Sequence, residues 1–268
     1  MNAPIGVFDS GMGGLTVMRA LMEKLPHESF IYLGDTARLP YGTKSADTVR
    51  RYAIQASTLL VARGVKLLVV ACNTASVSLP ALAQALAPLP VIGVIVPGAK
   101  AALAAAPDGP IAVLATEGTV KGGAYRSAIR SAGSNVPIAQ QACPLFVPLT
   151  EEGLVDGPIV EAVVHRYLDP ILSSVPKPRC LLLGCTHYPV LRPVIARIAG
   201  SDVTLVDSAS TTADAVATLL AERDLANGRG EQSLKFLATD APDRFAHVGE
   251  IFLGRAIDPG LVEPVDLQ

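Results

Sequence analysis

The chain has 268 residues, half of them hydrophobic and 17% charged, with a formal net charge of −2. That length suits one large α/β domain or two modest ones, and the composition excludes a disordered chain. The charge leaves no basic footprint for nucleic acid. Four cysteines without a C-x-x-C pair, and only four histidines, argue for free thiols in a reducing compartment rather than a disulfide framework or a zinc centre.

The first apolar run, 5–8, follows Met1 with no positively charged segment before it, so no secretory leader is expected and the chain reads as cytoplasmic. It ends on Asp9-Ser10-Gly11 and Met12-Gly13-Gly14, a strand-to-helix turn. The glycine spacing fits neither a Walker loop nor G-x-G-x-x-G, so nucleotide binding is not expected. Asp9 either accepts a proton from a substrate ammonium or neighbouring thiol, or caps the turn. A second run, 29–33, leads through Asp35 to Pro40-Tyr41-Gly42, a loop offering a phenol and close backbone contact at the same edge. Helical spacing covers 47–64. The run 66–71 ends on Cys72, and Asn73-Thr74 are good helix-capping residues. A helix starting here can lower the thiol pKa; a buried structural cysteine is the other reading.

Residues 79–107 carry no charge but Lys100, yet Pro80, Pro88, Pro90, Pro97 and Pro107 interrupt them too often for a membrane span. They read as a helix, a buried strand at 91–96 and a second helix. Further strands are expected at 111–115, 180–184 and 203–206. Cys185-Thr186-His187 follows the middle one, with Gly184 allowing close approach and His187 near enough to exchange a proton with the thiol. Alone, that string also suits a Cys–His hydrolase. Cys143 and Cys180 read as core, and Glu151 on its own as a solvated loop acid.

Strands without polar alternation are buried on both faces, the mark of a parallel sheet between helices. Residues 5–11 resemble 111–118, 67–74 resemble 180–187, and 91–96 resemble 203–208, in one order at a nearly constant offset. The expected fold is therefore α/β with two similar lobes, each a mostly parallel sheet flanked by helices. The first takes 1–97 plus 208–268 and the second 98–207, with crossings near Pro97-Gly98 and Asp207-Ser208. Ligands bind at the carboxyl ends of such strands, which puts Cys72 and Cys185 on opposite walls of one cleft.

At Gly6-Val-Phe-Asp-Ser-Gly-Met-Gly-Gly14, Pro40-Tyr-Gly42, Ala71-Cys-Asn-Thr-Ala75 and Gly184-Cys-Thr-His-Tyr-Pro189 the sequence resembles the glutamate racemases of bacterial cell-wall synthesis, within the wider aspartate/glutamate racemase group. Thr116-Glu-Gly-Thr119 and Val147-Pro-Leu-Thr-Glu151 also fit. The resemblance implies a cofactor-independent racemase that supplies D-glutamate for peptidoglycan. Cys72 and Cys185 would be its acid/base thiols, with Asp9 assisting Cys72, and His187 with Glu151 assisting Cys185. Asp9, Ser10, Tyr41, Gly42, Asn73, Thr74, Thr186 and His187 would hold glutamate, with Thr116 and Thr119 as additions. Glu152 competes with Glu151 for the carboxylate role. The first strand starts almost at Met1, so no dependence on a cell-wall precursor activator is expected. No metal is expected, and none of the seven lysines sits in a motif for pyridoxal phosphate. No nucleic acid or membrane partner is expected, whereas the alanine-rich stretch 81–106 would permit a homodimer. Still open are a racemase of another amino acid such as aspartate, a two-lobed small-molecule binding protein, and a thiol hydrolase.

Overall fold

The computed structural model describes residues 3–267; residues 1, 2 and 268, the extreme ends of the expected first lobe, lie outside that range. In chain order its strands are β1 (Ile5–Asp9), β2 (Phe30–Gly34), β3 (Leu67–Val70), β4 (Val91–Gly93), β5 (Ile111–Ala115), β6 (Ile138–Ala142), β7 (Cys180–Gly184), β8 (Thr204–Asp207), β9 (Leu234–Ala238) and β10 (Val262–Pro264). They form two sheets, β10-β9-β2-β1-β3-β4 and β6-β5-β7-β8, with every neighbour parallel. The inner order β2-β1-β3-β4 recurs as β6-β5-β7-β8, so the sequence repeat is also a repeat of topology.

The helices are α1 (Leu15–Lys24), α2 (Ala46–Ala62), α3 (Asn73–Ser76), α4 (Leu79–Ala85), α5 (Ile95–Ala105), α6 (Glu117–Gly122), α7 (Ala124–Ser131), α8 (Phe146–Glu151), α9 (Pro158–Leu172), α10 (Arg192–Ala199), α11 (Ser208–Glu222) and α12 (Pro242–Leu253). They cover both faces of the sheets, and strand alternation feeds each face. Leu67 and Val69 enter one core, Leu68 and Val70 another. Likewise Leu181 and Leu183 enter a third, Cys180 and Leu182 a fourth. Cys143 and Cys180 are buried among these side chains, as core cysteines.

One strand is shorter than its apolar run. Residues 91–96 stop being a strand at Gly93, and Ile95 opens α5. Pro97 falls in the first turn of that helix, where its missing N–H breaks no hydrogen bond. The buried side chains Ile95, Ala99 and Ala102 pack with β5 and β7, so Pro97-Gly98 lies inside a helix of the second sheet rather than at a crossing. After β8, α11 returns to the first core through Ala209, Ala213, Val216 and Leu220. A buried ion pair anchors this returning segment. Lys66 Nζ lies 2.7 Å from Glu28 and donates to the Leu225 carbonyl at 2.6 Å, while the Asn227 N–H donates to Glu28 at 2.7 Å. Among the described residues no helix is long and apolar enough to cross a membrane.

Candidate active site

The carboxyl ends of β1 and β3 from one sheet, and of β5 and β7 from the other, converge on one cleft. Counting its open mouth and the solvent there, it spans about 620 Å³. Ser10, Tyr41, Gly42, Cys72, Asn73, Thr74, Thr116, Cys185, Thr186 and His187 all line it. Asp9, Thr119 and Glu151 stand behind that lining.

On the first wall, the buried Asp9 carboxylate accepts the Gly11 N–H at 3.0 Å and lies 3.5 Å from the Thr186 hydroxyl of the other wall. It therefore caps the turn and faces the cleft at once. Burial raises its pKa, against the opposing pull of His187 and the backbone N–H groups. Cys72 caps α3, its sulfur accepting the Ala75 N–H at 3.5 Å and donating toward Ser10 Oγ at 3.6 Å. The lowering expected at a helix start is outweighed. Burial, then the Asp9 charge, push the thiol up to about 12, against the hydrogen bonds of the Ala75 N–H and Ser10.

Tyr41 departs from its expected role. Its phenol donates to Asp35, a buried carboxylate that also accepts from Arg38 Nε at 2.7 Å and Thr239 Oγ1 at 2.9 Å. What Tyr41 offers the cleft is ring and backbone. At Gly42 a Cβ would stand 2.8 Å from Cβ of Thr116, so only glycine lets this loop meet the opposite wall. Beside it the hydroxyls of Thr74, Thr116 and Thr119 form a triangle, with sides of 2.9, 3.3 and 3.0 Å, that joins α3 to α6. Asn73 Oδ1 accepts the Tyr125 hydroxyl at 2.6 Å, which leaves Nδ2 as a buried donor with no protein partner.

On the second wall, Cys185 Sγ lies 3.9 Å from His187 Nδ1, and His187 Nε2 lies 3.0 Å from Glu151 Oε1. Burial opposes charge on this imidazole, but hydrogen bonds to Cys185 and Glu151 and their negative charge outweigh it, raising its pKa to about 10. Glu151 is thus a shielded partner at the end of α8 rather than a solvated loop acid. Glu152 points outward and lies 3.5 Å from Arg244.

Leu39 and Pro144, which no motif announces, complete an apolar rim with Val147 and Pro148. The lining carries no lysine or arginine. Among the described residues no cluster of three or more His, Cys, Asp and Glu side chains is arranged to hold a metal ion. The arrangement offers two thiols, one from each sheet, each with its own second proton site, and neutral donors between them.

The Asp/Glu/Hydantoin racemase family matches residues 5–216. A glutamate racemase of Syntrophus aciditrophicus is 46% identical over 98% of this chain and 97% of its own length. One from Geobacter metallireducens is 47% identical over 93% and 92%. The crystal structure of glutamate racemase from Francisella tularensis, in complex with D-glutamate, superposes with a TM-score of 0.91 at 39% identity, covering 99% of this chain and 98% of that one.

Proposed function

Given that this chain belongs to the Asp/Glu/Hydantoin racemase family, we propose that it interconverts L- and D-glutamate by proton transfer between Cys72 and Cys185. The observation that carries the reading is one cavity lined by a thiol from each of two sheets. Racemisation removes the α-hydrogen from one face and returns a proton to the other, and one base per face does so without turning the substrate. In one direction the Cys72 thiolate takes the α-hydrogen while the Cys185 thiol delivers its own; the reverse direction swaps the roles. Asp9 accepts the proton that frees Cys72, and His187, held by Glu151, exchanges one with Cys185.

A placed base contributes only about 10²–10⁴-fold, so much of the barrier must fall to donors aimed at the carboxylate where charge develops, worth about 3–4 kcal/mol each. Asn73 Nδ2, with Ser10, Thr74 and Thr186, supplies such donors. No lysine lines the cavity to form an aldimine, which favours the cofactor-free route. The same reading puts the enzyme in the cytoplasm, feeding peptidoglycan synthesis, with two lobes whose first crossing falls before α5 rather than at the expected 97–98 and whose second falls at 207–208.

A second reading has one observation behind it. Cys185, His187 and Glu151 lie in the order of a thiol-hydrolase triad. Cys72 would have no part in that chemistry. Incubation with L-glutamate in deuterated water separates the two, because a racemase must label the α-carbon and drive optical rotation to zero. Cys72→Ala and Cys185→Ala should each fold and each abolish racemisation. Retention of more than a tenth of wild-type activity by either variant refutes the two-thiol scheme.

A further inference from the structure

Helix α12 belongs to the first sheet, where Phe245, Val248 and Phe252 are buried in its core. It nevertheless reaches the second wall. The Phe252 ring meets the His187 imidazole edge to face, with centroids 4.9 Å apart and planes at 71°. Two turns earlier, Arg244 Nη2 lies 4.0 Å from the Glu151 oxygen that His187 does not use. Opposite Phe252's helix, the turn after β1 closes in so tightly that a Cβ on Gly13 would sit 2.3 Å from His187 Nδ1.

These contacts define what holds the imidazole. Glu151 fixes Nε2 with one hydrogen bond, but a single bond is a hinge about which the ring can swing. The Nδ1 to Cys185 contact, at 3.9 Å, is too long to stop that motion by itself. Phe252 is fully buried, so it cannot yield, and edge-to-face geometry is directional where aliphatic packing is not. We propose that Phe252 is a positioning residue for the Cys185 half of the reaction, its ring holding His187 so that Nδ1 faces Cys185 Sγ. Cys72 has Ser10 and the Ala75 N–H as its hydrogen-bond partners instead, so the effect falls mainly on proton transfer at one face of the substrate. The inference rests on the racemase reading given above.

The test is Phe252→Leu in the whole protein, assayed with each enantiomer of glutamate in ordinary and deuterated water. A misplacement near 1 Å can cost about 100-fold, so kcat should fall at least about tenfold while KM stays within about threefold. A carbanion formed by Cys72 then waits for slow delivery from Cys185, long enough for the proton on Cys72 to exchange with deuterated solvent, and is redeuterated on the face where it began. Deuterium should therefore accumulate in unreacted substrate for one enantiomer and not the other. In a His187→Gln background the same substitution should cost less than about twofold more. Val248→Ala, a core change on the same helix, should lower the thermal midpoint without making exchange asymmetric. If Phe252→Leu unfolds below the assay temperature, Phe252→Met is read in its place. Symmetric exchange, or an undiminished loss in the His187→Gln background, overturns the proposal. Failure of the wild-type protein to racemise glutamate would instead overturn the function itself.

Discussion

Replacing Gly13 by alanine adds one methyl group to the turn after β1. The backbone accepts it, since Gly13 lies outside the left-handed region occupied by Gly123 or Gly157. The obstacle is entirely in front of it. The new carbon would stand 2.3 Å from His187 Nδ1, 2.4 Å from Cε1 and 2.6 Å from Thr186 Oγ1. Ordinary contact begins near 3.4 Å, so the imidazole must retreat by roughly 1.1 Å, the difference between those two separations. That movement lengthens the 3.9 Å approach to Cys185 or strains the 3.0 Å bond to Glu151. A 1 Å misplacement in a catalytic group costs about 100-fold, or about 2.7 kcal/mol in the barrier. Stability should fall as well, because forcing a methyl group against a buried ring costs about 1–3 kcal/mol, only partly offset by the roughly 0.4–1 kcal/mol that Gly→Ala returns through the unfolded chain. The expected outcome is a kcat near one hundredth of wild type, read by circular dichroism of glutamate at a temperature where the variant is folded, with a lowered thermal midpoint. A kcat above one tenth of wild type would show that the slot around His187 is not needed.

At pH 8, iodoacetamide should label Cys72 at least about tenfold more slowly than a free cysteine, because burial holds it as a neutral thiol near 12 and only the thiolate reacts; peptide mapping that finds Cys72 labelled as fast as a free cysteine contradicts this. The folded-state pKa of His187, about 10 against an ordinary 6.5, makes its contribution to stability complete below about pH 6.5 and lost as pH rises through about 10. The stability difference between wild type and His187→Gln should therefore shrink between pH 6 and pH 10 in urea titrations, and a constant difference counts against the ion pair. Lys66→Met strands the Glu28 carboxylate in the core and should cost about 3–5 kcal/mol; a loss under 1 kcal/mol in the same titrations rejects the anchor. Tyr125→Phe frees the Asn73 amide and should raise KM by about two- to tenfold, the worth of one hydrogen bond, with kcat nearly unchanged; an unchanged KM removes Asn73 Nδ2 from substrate binding.

Strands β1, β2, β3, β5 and β7 were legible because each is buried along its whole length, and β8, though at an edge, showed through Val203, Leu205 and Val206. Strand β6 was not. Its sequence, Ile-Ala-Gln-Gln-Ala, is half-buried at a sheet edge, and edges admit polar side chains that erase the pattern. In the first sheet β10 is the edge strand, carrying Glu263 and Pro264, and β9 lies next to it, carrying Lys235. The run at 91–96 erred the other way, since an apolar stretch buried by two lobes reads alike as strand or helix. Within the cleft, residues with chemical function announced themselves through strand-end position. The partners that decide their state did not. Asp35 for Tyr41, Tyr125 for Asn73 and Phe252 for His187 are distant in sequence, and only the folded chain pairs them.

The two walls are copies in topology but not in chemistry. Strand β1 corresponds to β5 and β3 to β7, so Cys72 and Cys185 occupy one structural position twice. On the same correspondence Asp9 matches Ala115, and Thr74 matches His187. The first thiol therefore takes its helper from the neighbouring strand, and the second takes it from its own loop, two residues on. Burial, reinforced by the Asp9 carboxylate, holds Cys72 neutral, whereas an imidazolium backed by Glu151 faces Cys185. The reaction proposed here has enantiomeric ends of equal free energy, so kcat/KM must be equal in both directions whatever the walls are made of. Unequal helpers can show themselves only in how each direction divides that ratio between kcat and KM, and in how often a proton returns to the face it left. The duplicated fold supplies two thiols at matched positions; their differing neighbours make each direction of the reaction separately adjustable.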